Sequence, residues 1–183
     1  MNGKLHGDVE MPKYEFGKDL QFEGENELEI VFAPKIYDEG EVMPKGLPST
    51  KVDARWEKFL IVAVTDTKNP TFPMKLLSLN ATDNYFSNGD FMFVNFTPNY
   101  VLGTFGKKKV NVAPMKLKVA NMSDSMGQFL DVKLNYVEPQ NKKQRWMVRQ
   151  GWRVLDDRRT VVFFYVPDGR TTMKYFATQI KNF

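Results

Sequence analysis

A chain of 183 residues with 42% hydrophobic and 14% aromatic side chains, including 15 Phe, carries enough apolar surface to bury a core. Intrinsic disorder is therefore excluded. The absence of cysteine excludes disulfides, thiolate metal sites and thiol catalysis. The formal net charge of +4 is unevenly spread: residues 1–60 carry 8 Lys+Arg against 13 Asp+Glu (−5), and residues 61–183 carry 18 against 9 (+9). Such polarity steers an acidic partner toward the C-terminal part unless the two parts neutralise each other on folding.

Residues 1–20 intersperse Lys4, Asp8, Glu10, Lys13 and Glu15 and contain no apolar h-region of a signal peptide. Nowhere does the chain reach the roughly 18 consecutive apolar residues of a membrane helix. Residues 1–13 are expected to form a loose tail. Strands are expected over 14–22 and 27–37, followed by a Pro- and Gly-rich loop over 44–50. The segment 59–64 is apolar on both faces, as are 91–96 and 161–166, and a strand buried on both faces belongs in the middle of a sheet. Further strands are expected over 72–79, 100–105, 115–119, 129–136, 144–154 and 170–179. In the last turn-rich stretches, Val110 and Val112 oppose Lys109 and Asn111, while Leu130, Val132, Leu134 and Tyr136 oppose Asp131, Lys133 and Asn135. Period-two alternation of this kind leaves one face on the core and one in water.

Turns are marked by Pro167-Asp168-Gly169, Asn88-Gly89-Asp90 and Gly106-Lys107-Lys108. Only 52–57 and 123–128 leave room for a short helical turn. Roughly a dozen short strands with regular turn signals indicate an all-β fold, an antiparallel β-sandwich with little or no helix. No repeat and no composition shift marks a linker, so a single domain over 1–183 is expected. Its core should hold Phe59, Ile61, Val62, Val64, Phe91, Phe93, Val94, Leu130, Val132, Leu134, Val162 and Phe164.

The one histidine, His6, has no second His or Cys to join it, so neither a zinc site nor a Ser-His-Asp arrangement can be assembled. No metal, cofactor or catalytic residue is expected. Carboxylate chemistry remains conceivable through Asp156 and Asp157, through Asp131, or through Glu23, Glu25, Glu27 and Glu29. The adjacent aspartates precede Arg158-Arg159, however, and read as a charged turn. Three Asn-x-Ser/Thr sequons, at Asn80, Asn95 and Asn121, exceed chance slightly. The Gly103-Thr104-Phe105-Gly106 stretch lies between strands and reads as a hairpin end rather than a KH loop.

The most informative stretch is 143–154. Regular alternation there puts Arg145, Arg149 and Arg153 on one face and Trp146, Val148, Trp152 and Val154 on the other. Trp146 and Trp152 are expected inside and the arginines in solvent, because burying unpaired guanidiniums is far costlier than burying indoles. A bulge, most readily at Gly151, would instead turn Trp152 outward beside Arg153. The binding candidates are Arg145, Arg149, Trp152 and Arg153. Single-strand nucleic-acid platforms need aromatics on the face that carries the charges, so opposed faces make nucleic acid an unfavoured partner.

Residues 88–114 run through Gly89, an aromatic-rich strand, Asn95-Phe96-Thr97, Val101, Gly103, Gly106 and Val112-Ala113-Pro114. This resembles a recurrent pattern in uncharacterised bacterial exported β-sandwich proteins. The resemblance implies a periplasmic or extracellular location, with the cytoplasm the alternative, and brings no catalytic residues. The expected function is a non-catalytic binding or structural module of the bacterial cell envelope. Its partner would be an anionic or carbohydrate surface ligand or another envelope protein. The alternative is a carbohydrate-active enzyme using a carboxylate pair.

Overall fold

The computed structural model describes residues 8–13, 15–22, 27–37, 41–69 and 71–181. Its regular structure is almost entirely β, as the alternation of the sequence dictates: twelve strands and one 3-10 turn, Ser123–Ser125. The described chain divides into two compact units, one from 8–11 and 18–82 and one from 12–17 and 83–181.

In the first unit β1 (Leu28–Val31) pairs antiparallel with β2 (Ser49–Val52), and β3 (Phe59–Thr65) with β4 (Met74–Asn80). The Ser78 hydroxyl donates to the Lys51 carbonyl at 2.7 Å and so ties β4 to β2. Ile30, Val52, Leu60, Leu76, Leu79 and Ala81 are the buried apolar residues here. The central position expected for 59–64 is corrected: β3 has β4 as its only ladder partner among the described residues. In a two-stranded sheet, Phe59, Ile61, Val62 and Val64 are left half-buried. No strand forms in the described part of 14–22, which lacks the alternation of the other strands, and β2 begins inside the loop expected at 44–50.

The second unit is the sandwich. One sheet has the order β12–β11–β5–β8, from β5 (Phe91–Asn95), β8 (Leu117–Ala120), β11 (Arg158–Tyr165) and β12 (Lys174–Lys181). The other has the order β10–β9–β6–β7, from β6 (Tyr100–Phe105), β7 (Lys108–Val112), β9 (Phe129–Val137) and β10 (Gln144–Arg153). All pairings are antiparallel except β5 with β11, which run parallel. Phe91, Phe93, Val162 and Phe164 of the first sheet meet Val101, Phe105, Val132, Leu134 and Tyr136 of the second. Phe105 lies edge-on to Phe91, with ring centroids 4.4 Å apart, a favoured aromatic geometry.

Both strands expected in central positions of this unit, β5 and β11, are central and buried on both faces. Phe163, which points away from the core of the sandwich, stacks on Phe96 and Phe176. Leu130 is the one core residue expected in this unit that is only half-buried. At the centre of β6 a Cβ on Gly103 would lie 1.8 Å from the Lys133 carbonyl oxygen, so no other residue fits without parting β6 from β9.

Candidate functional site

Strand β10 does not keep one register. Gln144, Arg145 and Trp146 lie opposite Val137, Tyr136 and Asn135, but Val148 lies opposite Leu134, so Met147 is an extra residue, a β-bulge. Two local demands differ by one residue and meet there. The turn before β10 fixes the first pairs: Glu138 N–H bonds the Lys143 carbonyl, and Asn141 Oδ1 accepts the Lys143 N–H. Core packing of Val148 and Trp152 fixes the rest.

The bulge overturns one expectation and relocates another. Trp146, expected inside, is 68% exposed. The slip lies at Met147 rather than at Gly151, so Trp152 stays inward, half-buried against Phe91, Phe105 and Tyr175. Arg145, Arg149 and Arg153 are exposed, as expected. Arg145 lies opposite the inward-facing Tyr136 and binds the Glu138 carboxylate at the end of the sheet. Of the four sequence candidates, Arg149 and Arg153 therefore share the outer face, while Trp152 and Arg145 do not.

Residues directly opposite in neighbouring strands share a face, so the register defines rows across the outer side of this sheet. One row is Trp146, Asn135, Leu102 and Asn111; the next is Arg149, Lys133, Thr104 and Lys109. Tyr100 flanks the first row opposite Val137, and Arg153 pairs with Phe129 beyond the second. Trp146, Phe129 and Tyr100 are all exposed, at 68, 72 and 46%. Lys133 bonds Asp131 at 2.7 Å, and the Arg153 guanidinium lies 5.8 Å from the Phe129 ring. Arg149 has no carboxylate in ion-pair reach among the described residues. The bulge thus brings Trp146 to the face of Arg149 and Arg153, from which regular alternation would separate it.

Within this face sits a buried orphan. Asn135 is only 8% exposed, and its Oδ1 accepts no hydrogen bond from a described residue. A buried acceptor left without a donor costs about 1–3 kcal/mol. Sequence reading took Asn135, Asp131 and Lys133 together as a wet strand face. Asn135, Phe129 and Tyr100 reach this face by the plain alternation of β9 and β6, and the bulge in β10 adds Trp146 to them.

Three of the carboxylates are held ionised by their partners. Arg158 bonds Asp157 at 2.8 Å and holds its carboxyl at about 2, with the Lys181 ammonium 3.6 Å away. The Asn141 amide and then Arg145 lower the Glu138 carboxyl, and Arg55 brings Asp53 to about 2. A general acid needs a raised pKa. Glu27 pairs with Lys51 at 2.7 Å; Glu23 and Glu25 lie outside the described residues, as does His6. No group of three metal-ligating side chains is present among the described residues. A hollow lined by Tyr165, Pro167, Arg170, Thr172 and Lys174 contains no carboxylate.

The three sequons have a structural explanation. In each, the Asn Oδ1 accepts the backbone N–H two residues on: Asn80 from Thr82, Asn95 from Thr97 and Asn121 from Ser123. These are Asx turns, which Asn followed by Ser or Thr favours. Asn95, 1% exposed, also donates to the carbonyls of Asn99 and Ala113 at 2.7 and 3.1 Å. It clamps the end of β5 to the strands that follow, which explains why Asn95-Phe96-Thr97 precedes a glycine-bearing hairpin. Lys108 of the basic hairpin tip is engaged by the Asn121 carbonyl, whereas Lys109 lies on the outer face.

No protein-family model matches this chain, and no curated protein or solved structure matches it.

Proposed function

We propose that the protein is a non-catalytic binding module of the bacterial cell envelope that takes its ligand on the outer face of the β10–β9–β6–β7 sheet. One observation carries this reading: the bulge at Met147 places the exposed Trp146 on the same side as Arg149 and Arg153. Exposed aromatics grouped on one face mark interaction surfaces, because water alone does not favour them there. A broad sheet face suits an extended polymer. The carboxylates with perturbed acidity are held ionised rather than protonated. Location in the envelope rests on the likeness of residues 88–114 to exported β-sandwich proteins.

The test is co-sedimentation with purified envelope polymers, comparing the protein with the double variant Trp146→Ala/Arg149→Gln. The protein should pellet with at least one polymer, the variant should stay in the supernatant, and no reducing ends should appear. Pelleting that the double variant retains would overturn the reading, and so would release of reducing ends.

A further inference from the structure

Strand β3 is laddered on one side only among the described residues. The Lys58 carbonyl accepts the Ala81 N–H, and the Asp66 N–H donates to the Pro73 carbonyl. Hydrogen-bonded pairs alternate along an antiparallel ladder. The N–H and C=O groups of Leu60, Val62 and Val64 therefore turn toward β4, and those of Phe59, Ile61, Ala63 and Thr65 turn to the free edge. There they meet no backbone partner among the described residues. Solvent reaches this edge, since Ala63 and Thr65 are exposed. A charged side chain on an edge strand discourages the addition of a further strand. Every other described strand with a free edge has one, among them Lys75 of β4, Lys109 of β7 and Lys174 and Lys181 of β12. The seven residues of β3 have none.

We propose that this edge pairs with the β3 edge of a second copy of the chain, antiparallel about a twofold axis at Val62. The register that the axis imposes selects a second copy over an unrelated strand. Phe59 falls opposite Thr65, Leu60 opposite Val64, Ile61 opposite Ala63, and Val62 opposite its own copy, so no charge enters any pair of the strand. Each edge-facing residue meets an edge-facing residue and exchanges two hydrogen bonds with it. Just beyond the strand, Lys58 falls opposite Asp66 of the second copy, and Asp66 opposite its Lys58, which places an ion pair at each end. A slip of two residues loses both pairs: Lys58 then meets Lys68 in one direction and Val64 in the other. The union turns two two-stranded sheets into one of four strands, and two strands alone are marginal in water. Twofold pairing of identical patches is also the commonest form of association. The pairing uses none of the strands of the proposed binding face.

The absence of cysteine makes the register measurable, because a single introduced thiol reports it. Val62→Cys sets two thiols across the axis in a non-hydrogen-bonded pair, with Cα atoms about 4.5 Å apart, within disulfide reach. Val64→Cys sets them about 14 Å apart along the strand. Mild oxidation of the whole chain should cross-link the Val62→Cys variant at least tenfold faster than the Val64→Cys variant. Sedimentation equilibrium of the unaltered chain should show monomer and dimer exchanging with concentration. Ala63→Pro removes an edge N–H that β4 does not use, so the urea midpoint of the diluted monomer should stay near the parent's. Association should weaken about tenfold or more, because the bond is lost twice across the axis. Ala63→Lys, a charge at an exposed position, should do the same and serves if the proline variant does not fold. Lys58→Glu should weaken association severalfold, and adding Asp66→Lys should restore it.

A chain that stays monomeric at every concentration would overturn the pairing and leave the edge to another occupant, such as the segment 15–22, whose Phe22 ring lies 5.8 Å from that of Phe59. Equal cross-linking of the two cysteine variants would overturn it as well, and so would a dimer that both Ala63 variants leave intact.

Discussion

Replacing Asn95 by alanine should unfold the sandwich far more readily than a surface change would. Asn95 is buried and its amide makes four short hydrogen bonds: two donated to the carbonyls of Asn99 and Ala113, two accepted from the Thr97 N–H and hydroxyl at 3.0 and 2.8 Å. The neighbouring Thr97 is itself 1% exposed, so its freed donors gain little from water. Leaving two or three buried partners unsatisfied at about 1–3 kcal/mol each gives a loss of roughly 3–6 kcal/mol. That is a large share of the stability of a single domain. Urea unfolding followed through the emission of Trp152 would read it. Asn95→Asp adds a sign check. It keeps the acceptor but turns a carboxylate toward two carbonyls, so the folded state raises that carboxyl's pKa. The Asp variant should therefore be most stable below the unfolded value of about 4 and lose stability as pH rises through the folded value. A loss under about 1 kcal/mol for Asn95→Ala would refute the clamp, and so would an Asp variant that is stabilised by rising pH.

Gly103→Ala should cost roughly 1–3 kcal/mol or more, because the added methyl meets backbone rather than a movable side chain; a urea midpoint equal to the parent's would contradict this. The carboxyl of Asp157, held at about 2 by Arg158, contributes stability above the unfolded value of about 4 that is lost as pH falls toward 2. Carbonyl NMR should show its midpoint near 2, and Arg158→Gln should move that midpoint up; an unmoved midpoint would sink the assignment of cause. Deleting Met147 should close the bulge and leave Trp146 opposite Asn135 and Val148 opposite Leu134 in simple alternation, so Trp146 should stay outward; a blue shift of its emission would contradict the register read across the bulge.

The architecture was legible in the sequence wherever one physical rule governed it. β5 and β11 are apolar at successive positions because both faces are buried, and β9 alternates because only one is. β3 has the same apolar composition as those central strands but has a single ladder partner among the described residues, and composition cannot count neighbours. The site was half legible. Arg149 and Arg153 follow from alternation counted from the core. Trp146 does not, because its register is set by the turn at 138–143 rather than by the residues beside it. A bulge is a conflict between two distant constraints, and no local pattern records it. The sequons were misleading for a related reason: the same residues that accept a glycan also close Asx turns, and in Asn95 burial decides for the turn.

Fluorine NMR of the whole chain labelled with 5-fluorotryptophan tests the central claim most directly, since the three indoles of Trp56, Trp146 and Trp152 report separately and Trp146→Phe assigns the signal in question. The Trp146 resonance should show the full solvent isotope shift of an exposed ring in the free protein, and it should move and lose part of that shift when a polymer that co-sediments with the protein is added, while Trp152 stays in place. A Trp146 resonance insensitive to solvent in the free protein, or one that the saturating polymer leaves unmoved, would contradict the assembled face.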